Sequence, residues 1–223
     1  MSLRTEGSGR ITIFPAGPGR QTGKVGALKK RWSQDLCGFD SRPGYLAVAR
    51  PGGPTPNGSR PILLVDVDGV ISLFGFERAD PPAGRWANID GVLHLLSASA
   101  GGHLAALARD FDLVWCTGWE EKASEYLPAL IGAPQAIAHL TFEPGDPGDS
   151  RDVSDGRWKL AAIDAWAGRD RPLAWIDDRL GATVQQWALA RPGATLLVTT
   201  CSAVGITGEH VQQLRAWARN HSR

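Results

Sequence analysis

The sequence predicts an α/β fold, a three-layer sandwich around a mostly parallel, five-stranded sheet, and three observations carry that prediction. Apolar runs of strand length recur through residues 61–223, helical patterns lie between them, and the runs are continuous rather than alternating, as in strands covered on both faces. The first run, Ile-Leu-Leu-Val at 62–65, ends in Asp66. The others follow at 113–116, around 138–142, at 173–176 and at 195–198. Helical patterns fall at roughly 102–109, 121–130, 158–166, 183–190 and 208–220. With 223 residues, 43% of them apolar, the chain is long enough for one sizeable core and too short for two comfortable domains.

The region ahead of the first run has a different character. Residues 1–60 hold 10 Lys and Arg against 3 Asp and Glu, whereas residues 61–223 hold 14 against 20, so the formal net charge of +1 is a +7 leader balanced against a −6 domain. That leader also carries 11 of the 27 glycines and 6 of the 15 prolines but one of the nine tryptophans. Such a composition offers too little apolar surface to offset the entropy of ordering, so stretches such as 15–26 and 50–60 are expected to be largely disordered. Short apolar pieces at 11–14 and 45–48 are the candidates for docking on the domain.

No window approaches the ~18 consecutive apolar residues of a membrane span, and Met1 is not followed by a secretory pattern, so the chain is expected to be cytoplasmic with no membrane partner. Cys37, Cys116 and Cys201 are odd in number and lack metal-ligand spacing, which argues against a disulfide framework and a zinc site. A self-similar period of the kind that marks repeat architectures is lacking.

In an open parallel sheet the ligand crevice lies beyond the carboxyl ends of the strands. The residues placed there are Asp66-Val67-Asp68-Gly69 after the first run, Thr117-Gly118 after the second and Asp177-Asp178 after the fourth. An Asp-x-Asp-Gly arises by chance in a chain of this composition with a probability of roughly 0.14. Requiring four apolar residues directly before it leaves roughly half a per cent. Several carboxylates and a hydroxyl converging on one sheet edge therefore form a signal well above chance.

Taken together these residues resemble the haloacid dehalogenase (HAD) superfamily of hydrolases. Residues 62–70 are similar to its first motif, and Leu113-Val114-Trp115-Cys116-Thr117-Gly118 to its second, an apolar strand ending in Thr or Ser. Lys159, 18 residues before Asp177, resembles the third-motif lysine, and Trp175-Ile176-Asp177-Asp178-Arg179 the fourth, acidic motif. Residues 61–223 contain two lysines, and Lys122 follows the second motif too closely to fit. The resemblance implies a HAD-like, Rossmann-like sheet and Mg2+-dependent phosphatase chemistry. Asp66 would be the nucleophile, forming an aspartyl-phosphate, and Asp68 the acid and then the base. The second Asp is what separates phosphatases from the dehalogenase branch. Mg2+ would be held by Asp66, the Val67 carbonyl and Asp177, with Asp178 either a ligand, an orienter of the shell, or the N-cap of the following helix. Thr117 and the Gly118 amide would hold a phosphate oxygen, and Lys159 would neutralise developing charge.

The gaps between motifs leave no room for a large cap domain. Residues 70–112 suffice for a small flap at about 70–96, with 71–76 against 92–96, and one helix; residues 119–158 already hold a helix and the third strand. A capless crevice resembles the branch acting on macromolecular phosphates, and 117–120 with 175–179 resemble the HAD domains of RNA repair proteins. A phosphorylated substrate such as a polynucleotide end is the expected partner, with the basic leader either tracking a nucleic-acid backbone or serving as a solubilising tail. Trp119 either stacks on a flat leaving group or packs under the flap. Trp158, Trp166, Trp187 and Trp217 are expected to pack helices, Cys116 to be a small core residue, His94 to lie in the flap, and the histidines to hold no assigned role. The acidic loop 143–155 is either a lid or a solvated connection. Two other readings share the motifs: a catalytically silent HAD-like binding module and a phosphotransferase.

Overall fold

The computed structural model describes residues 12–13, 60–142 and 155–222. Its strands in chain order are β1 (Thr12–Ile13), β2 (Ile62–Val65), β3 (Ser72–Leu73), β4 (Gly84–Ile89), β5 (Val92–Ser97), β6 (Asp112–Trp115), β7 (Ala138–His139), β8 (Leu173–Asp177) and β9 (Thr195–Thr199). Its helices are α1 (Ala100–Leu107), α2 (Glu121–Ile131), α3 (Leu160–Ala167), α4 (Ala182–Ala190) and α5 (Gly208–Arg219).

The five apolar runs form one sheet, all parallel, in the order β7-β6-β2-β8-β9. The chain winds outward from β2 through β6 to β7, then returns past β2 to lay down β8 and β9. The winding therefore reverses between β2 and β8, and a doubly wound sheet opens its crevice at such a point. Alternation along each strand divides the core. Leu63, Val65, Leu113, Trp115 and Ile176 pack with Leu104, Leu127 and Leu214 of α1, α2 and α5. Ile62, Leu64, Val114, Cys116, Leu173 and Trp175 pack with Ile163 of α3 and Val184 of α4. The sheet is thus the middle of three layers, and each fully buried aliphatic side chain contributes about 1.5–3 kcal/mol relative to an exposed one.

A second, antiparallel sheet, β1-β4-β5-β3, occupies the segment between β2 and β6. The reading of 71–76 against 92–96 holds in part: Ser72 and Leu73 pair with Leu96 and Leu95. The larger pairing is between β5 and β4, a strand absent from the sequence reading, because residues 84–89 are half-exposed and only weakly apolar. The turn joining them is Asp90-Gly91, both left-handed (φ 51° and 85°), as a two-residue hairpin of matching twist requires. Val70, Ile71, Ala87, Ile89 and Leu96 share the core of α1, α2 and α5. Arg85 donates to the Leu130 carbonyl at 3.0 Å, and Lys122 and Tyr126 of α2 donate to Asp90. This sheet is bolted to the domain.

Other boundaries shift slightly. The run near 138–142 is strand only over Ala138–His139, and the helix expected from 158 starts as a 3-10 turn, Arg157–Lys159, before α3. Within the leader, Thr12 and Ile13 pair with Asn88 and Ala87 of β4. The remaining expectations for residues 1–59 and the acidic loop 143–154 lie outside the described residues. No helix among the described residues is long and apolar enough to cross a membrane.

Candidate functional site

Register brings the ends of β2 and β8 together. Val65 is opposite Ile176, and the Asp66 amide donates to the Ile176 carbonyl at 3.1 Å, so Asp66 and Asp177 leave adjacent strands side by side. Both share the alternation of Leu64 and Trp175 and so face the α3 layer. The chain enters α3 through Lys159, whose Nζ lies 2.7 Å from Asp177 Oδ2 and 3.1 Å from Asp66 Oδ1. Asp177 is fixed further by the Trp175 indole N–H on Oδ2 (3.2 Å) and the Arg179 amide on Oδ1 (2.8 Å).

Two glycines permit the loops to approach this closely. Gly69 has φ 78°, and a Cβ there would lie 2.5 Å from the Asp178 carboxyl carbon. Gly156, also at φ 78°, would place a Cβ 2.6 Å from the Arg179 carbonyl oxygen, and its own carbonyl accepts from the Lys159 amide at 3.1 Å. The first contact presses the β2 loop onto Asp178; the second docks the lysine-bearing turn against the loop after β8.

Charge in this crevice is under-compensated. Asp66, Asp177 and Lys159 are 7%, 1% and 4% exposed, so water screens them little. Burial pushes the Asp66 carboxyl well above the usual range; Lys159 opposes the rise, and Asp177, Asp68 and Asp178 add to it. Burial acts to lower the Lys159 pKa, but the Asp177 and Asp66 carboxylates outweigh it and hold the ammonium firmly charged. Asp178 is raised too, chiefly by burial, against the lowering influence of Ser202. Oxygens of Asp66, Asp177 and Asp178 all lie within 4.8 Å of one another. The one buried ammonium pairs with Asp66 and Asp177, while Asp178 has the half-exposed Arg179 guanidinium at 3.9 Å, and the donor set, entirely oxygen, suits a hard divalent cation such as Mg2+.

The Val67 carbonyl, expected to join that set, is engaged within its own turn. It accepts from the amides of Ile71 (2.8 Å), Ser72 (2.9 Å) and Val70 (3.3 Å), so its lone pairs are used within the turn. Asp178 is not a helix cap: α4 begins at Ala182 with Gly181 in the cap position, while Asp178 Oδ2 accepts from Ser202 Oγ at 2.7 Å.

Of the remaining site residues, Thr117 is buried and Gly118 exposed at the turn after β6. Trp119 is 7% exposed and lies under the small sheet, its ring edge-on to His94 with centroids 4.8 Å apart. Its indole N–H donates to Asp68 Oδ2 at 3.0 Å. The packing alternative for Trp119 is the one observed, and the ring is not presented for stacking at the mouth. Glu120, next in the chain, adopts φ 48°, and its carboxylate caps the Phe142 amide at 2.9 Å. Cys116 is fully buried, which pushes its thiol far up, in keeping with a core role.

Sequence reasoning missed four contributors. Thr200 and Ser202, just past β9, donate to the Gly69 carbonyl (2.9 Å) and to Asp178. The rule that picks out strand ends applied to the fifth run as well, and would have found them. Trp158 lies at the site rather than in a helix interface, with its ring against Phe142 and the Lys159 ammonium 5.2 Å from the ring centre. His94 is buried, and nothing in its spacing distinguishes it. Comparison of the chain with protein-family models, with curated proteins and with solved structures finds no match in any of the three.

Proposed function

We propose that the protein is a capless, HAD-like, Mg2+-dependent phosphatase that hydrolyses phosphate monoesters through Asp66. The observation that carries this reading is the Lys159 ammonium bridging Asp66 and Asp177 at the switch point of the sheet, with Asp178 alongside. Asp66, Asp177 and Asp178 are the residues that would hold Mg2+, which when bound supplies the positive charge this crevice lacks.

In the first step an Asp66 carboxylate oxygen attacks phosphorus while the bond from phosphorus to the ester oxygen breaks, and Asp68 gives its proton to the departing oxygen. Water then attacks the aspartyl-phosphate, Asp68 takes the water's proton, and the Asp66 carboxylate is released with inorganic phosphate. Lys159 offsets charge on the transferring group from beside Asp66, and Thr117 with the Gly118 amide supplies donors for a phosphate oxygen. The absence of a large cap among the described residues favours a bulky substrate, and the +7 leader favours a polyanion, so a phosphorylated polynucleotide end is the proposed substrate class.

Asp66→Asn should abolish turnover of an aryl phosphate in Mg2+ with little change in melting temperature; full retained activity would remove the assignment. A substrate panel in which sugar phosphates or free nucleotides exceed 3′- and 5′-phosphorylated oligonucleotides in kcat/KM would reject the polynucleotide preference.

A further inference from the structure

Among the described residues, Asp68 is tied to the small sheet by a run of contacts that leads out to it and back. Oδ2 of Asp68 accepts the Trp119 indole N–H at 3.0 Å. The Trp119 ring rests on the buried His94 of β5, edge to face, at 4.8 Å and 68°. His94 Nδ1 is 2.9 Å from Ser72 Oγ, with Ser72 fully buried at the start of β3. Ser72 returns to the β2 loop through its backbone: its amide donates to Val67 O at 2.9 Å and its carbonyl accepts from Gly69 N at 2.8 Å, on either side of Asp68. Each member of the run is anchored by a different element, so the indole has little freedom to turn.

We infer that Trp119 is a positioning residue for Asp68 and that His94 sets the ring, so that the small sheet fixes the orientation of the proton donor. The inference rests on the phosphatase reading. An indole N–H donates only, so the Oδ2 that it meets is held as an acceptor. This bond restrains the carboxyl plane, and a donor aimed in advance need not be reoriented during bond cleavage. Trp119→Phe keeps the ring and removes the N–H, and with it this restraint on the plane.

The test compares kcat/KM, which reports the first irreversible step, for an activated aryl phosphate and an alkyl phosphate. An aryl oxide departs without a proton, whereas an alkoxide needs one, so loss of donor aim is felt by the alkyl ester. Asp68→Asn is the reference, with a loss on the alkyl ester of about 10²–10⁴-fold. The expected result for Trp119→Phe is a fall in the alkyl-to-aryl ratio of about tenfold or more, with the same direction in His94→Gln. Circular dichroism and melting curves establish that the variants fold, and either variant alone suffices if the other does not. Equal losses on both esters, or none, from an active wild-type protein would overturn the inference while leaving the phosphatase reading intact. A wild-type protein inactive on both esters would overturn that reading and this inference with it.

Discussion

Replacing Lys159 by methionine, which keeps length and removes charge, separates the electrostatic account of the crevice from a purely steric one. The ammonium is buried and lies 2.7 Å from Asp177 and 3.1 Å from Asp66, so its loss leaves those two buried carboxylates facing one another without the charge that bridges them. Removing one partner of a buried ion pair costs about 3–5 kcal/mol, a figure already net of the ammonium's own desolvation. For a domain of this size that corresponds to a melting temperature lower by about 6–20 °C. The loss must also depend on pH in one direction. The Asp66 carboxyl is raised above 3.8 in the folded protein even with Lys159 lowering it, so removing the ammonium raises it further. The folded variant then binds more protons than the unfolded chain above pH 3.8, and its stability falls as pH rises. Denaturant unfolding of both proteins at pH 5.5 and 8 should show the larger deficit at pH 8, and added Mg2+ should recover part of it. A deficit under about 1 kcal/mol, or one equal at both pH values, would refute the argument.

Two further perturbations probe separate links. Gly69→Ala places a Cβ within 2.5 Å of the Asp178 carboxyl at a left-handed φ, so both the loop and Asp178 must shift; a stability loss above about 1 kcal/mol and weaker Mn2+ binding by electron paramagnetic resonance are expected. At the start of α5, Thr207 Oγ1 accepts the His210 amide while His210 Nδ1 accepts the Thr207 amide, a role that only the neutral imidazole can fill. Burial lowers the His210 pKa below 6.5, so its stabilisation is complete above that pH and is lost as pH falls through the folded value. His210→Gln keeps an acceptor that does not titrate, and its melting temperature should decline less than the wild type's between pH 7 and 5.

The sheet was legible because its strands are buried on both faces, and unbroken apolar runs such as 62–65 and 173–176 admit few other readings. Asp66, Asp177 and Lys159 were legible for a related reason: each sits where a strand ends or a helix begins, and topology alone delivers such positions to one edge. β4 was obscured by its half-exposed pattern, although the Asp90-Gly91 turn beside it carried the signal. The engagement of the Val67 carbonyl was not legible because a carbonyl's direction is set by the turn it closes, which residue type does not encode. The contact of His94 with Trp119 stayed hidden for the same kind of reason, since it depends on the pairing of β5 with β3 and β4.

β1 changes what counts as the smallest folding unit. Thr12 and Ile13 lie in the leader, yet they occupy the outer side of β4, opposite Asn88 and Ala87. A protein trimmed to begin at Arg60 would keep both cores and the crevice carboxylates Asp66, Asp177 and Asp178 but would leave an unsealed seam along β4, open to the strand of a neighbouring molecule. The break in charge at Pro61 is a frontier of composition, and the architecture crosses it.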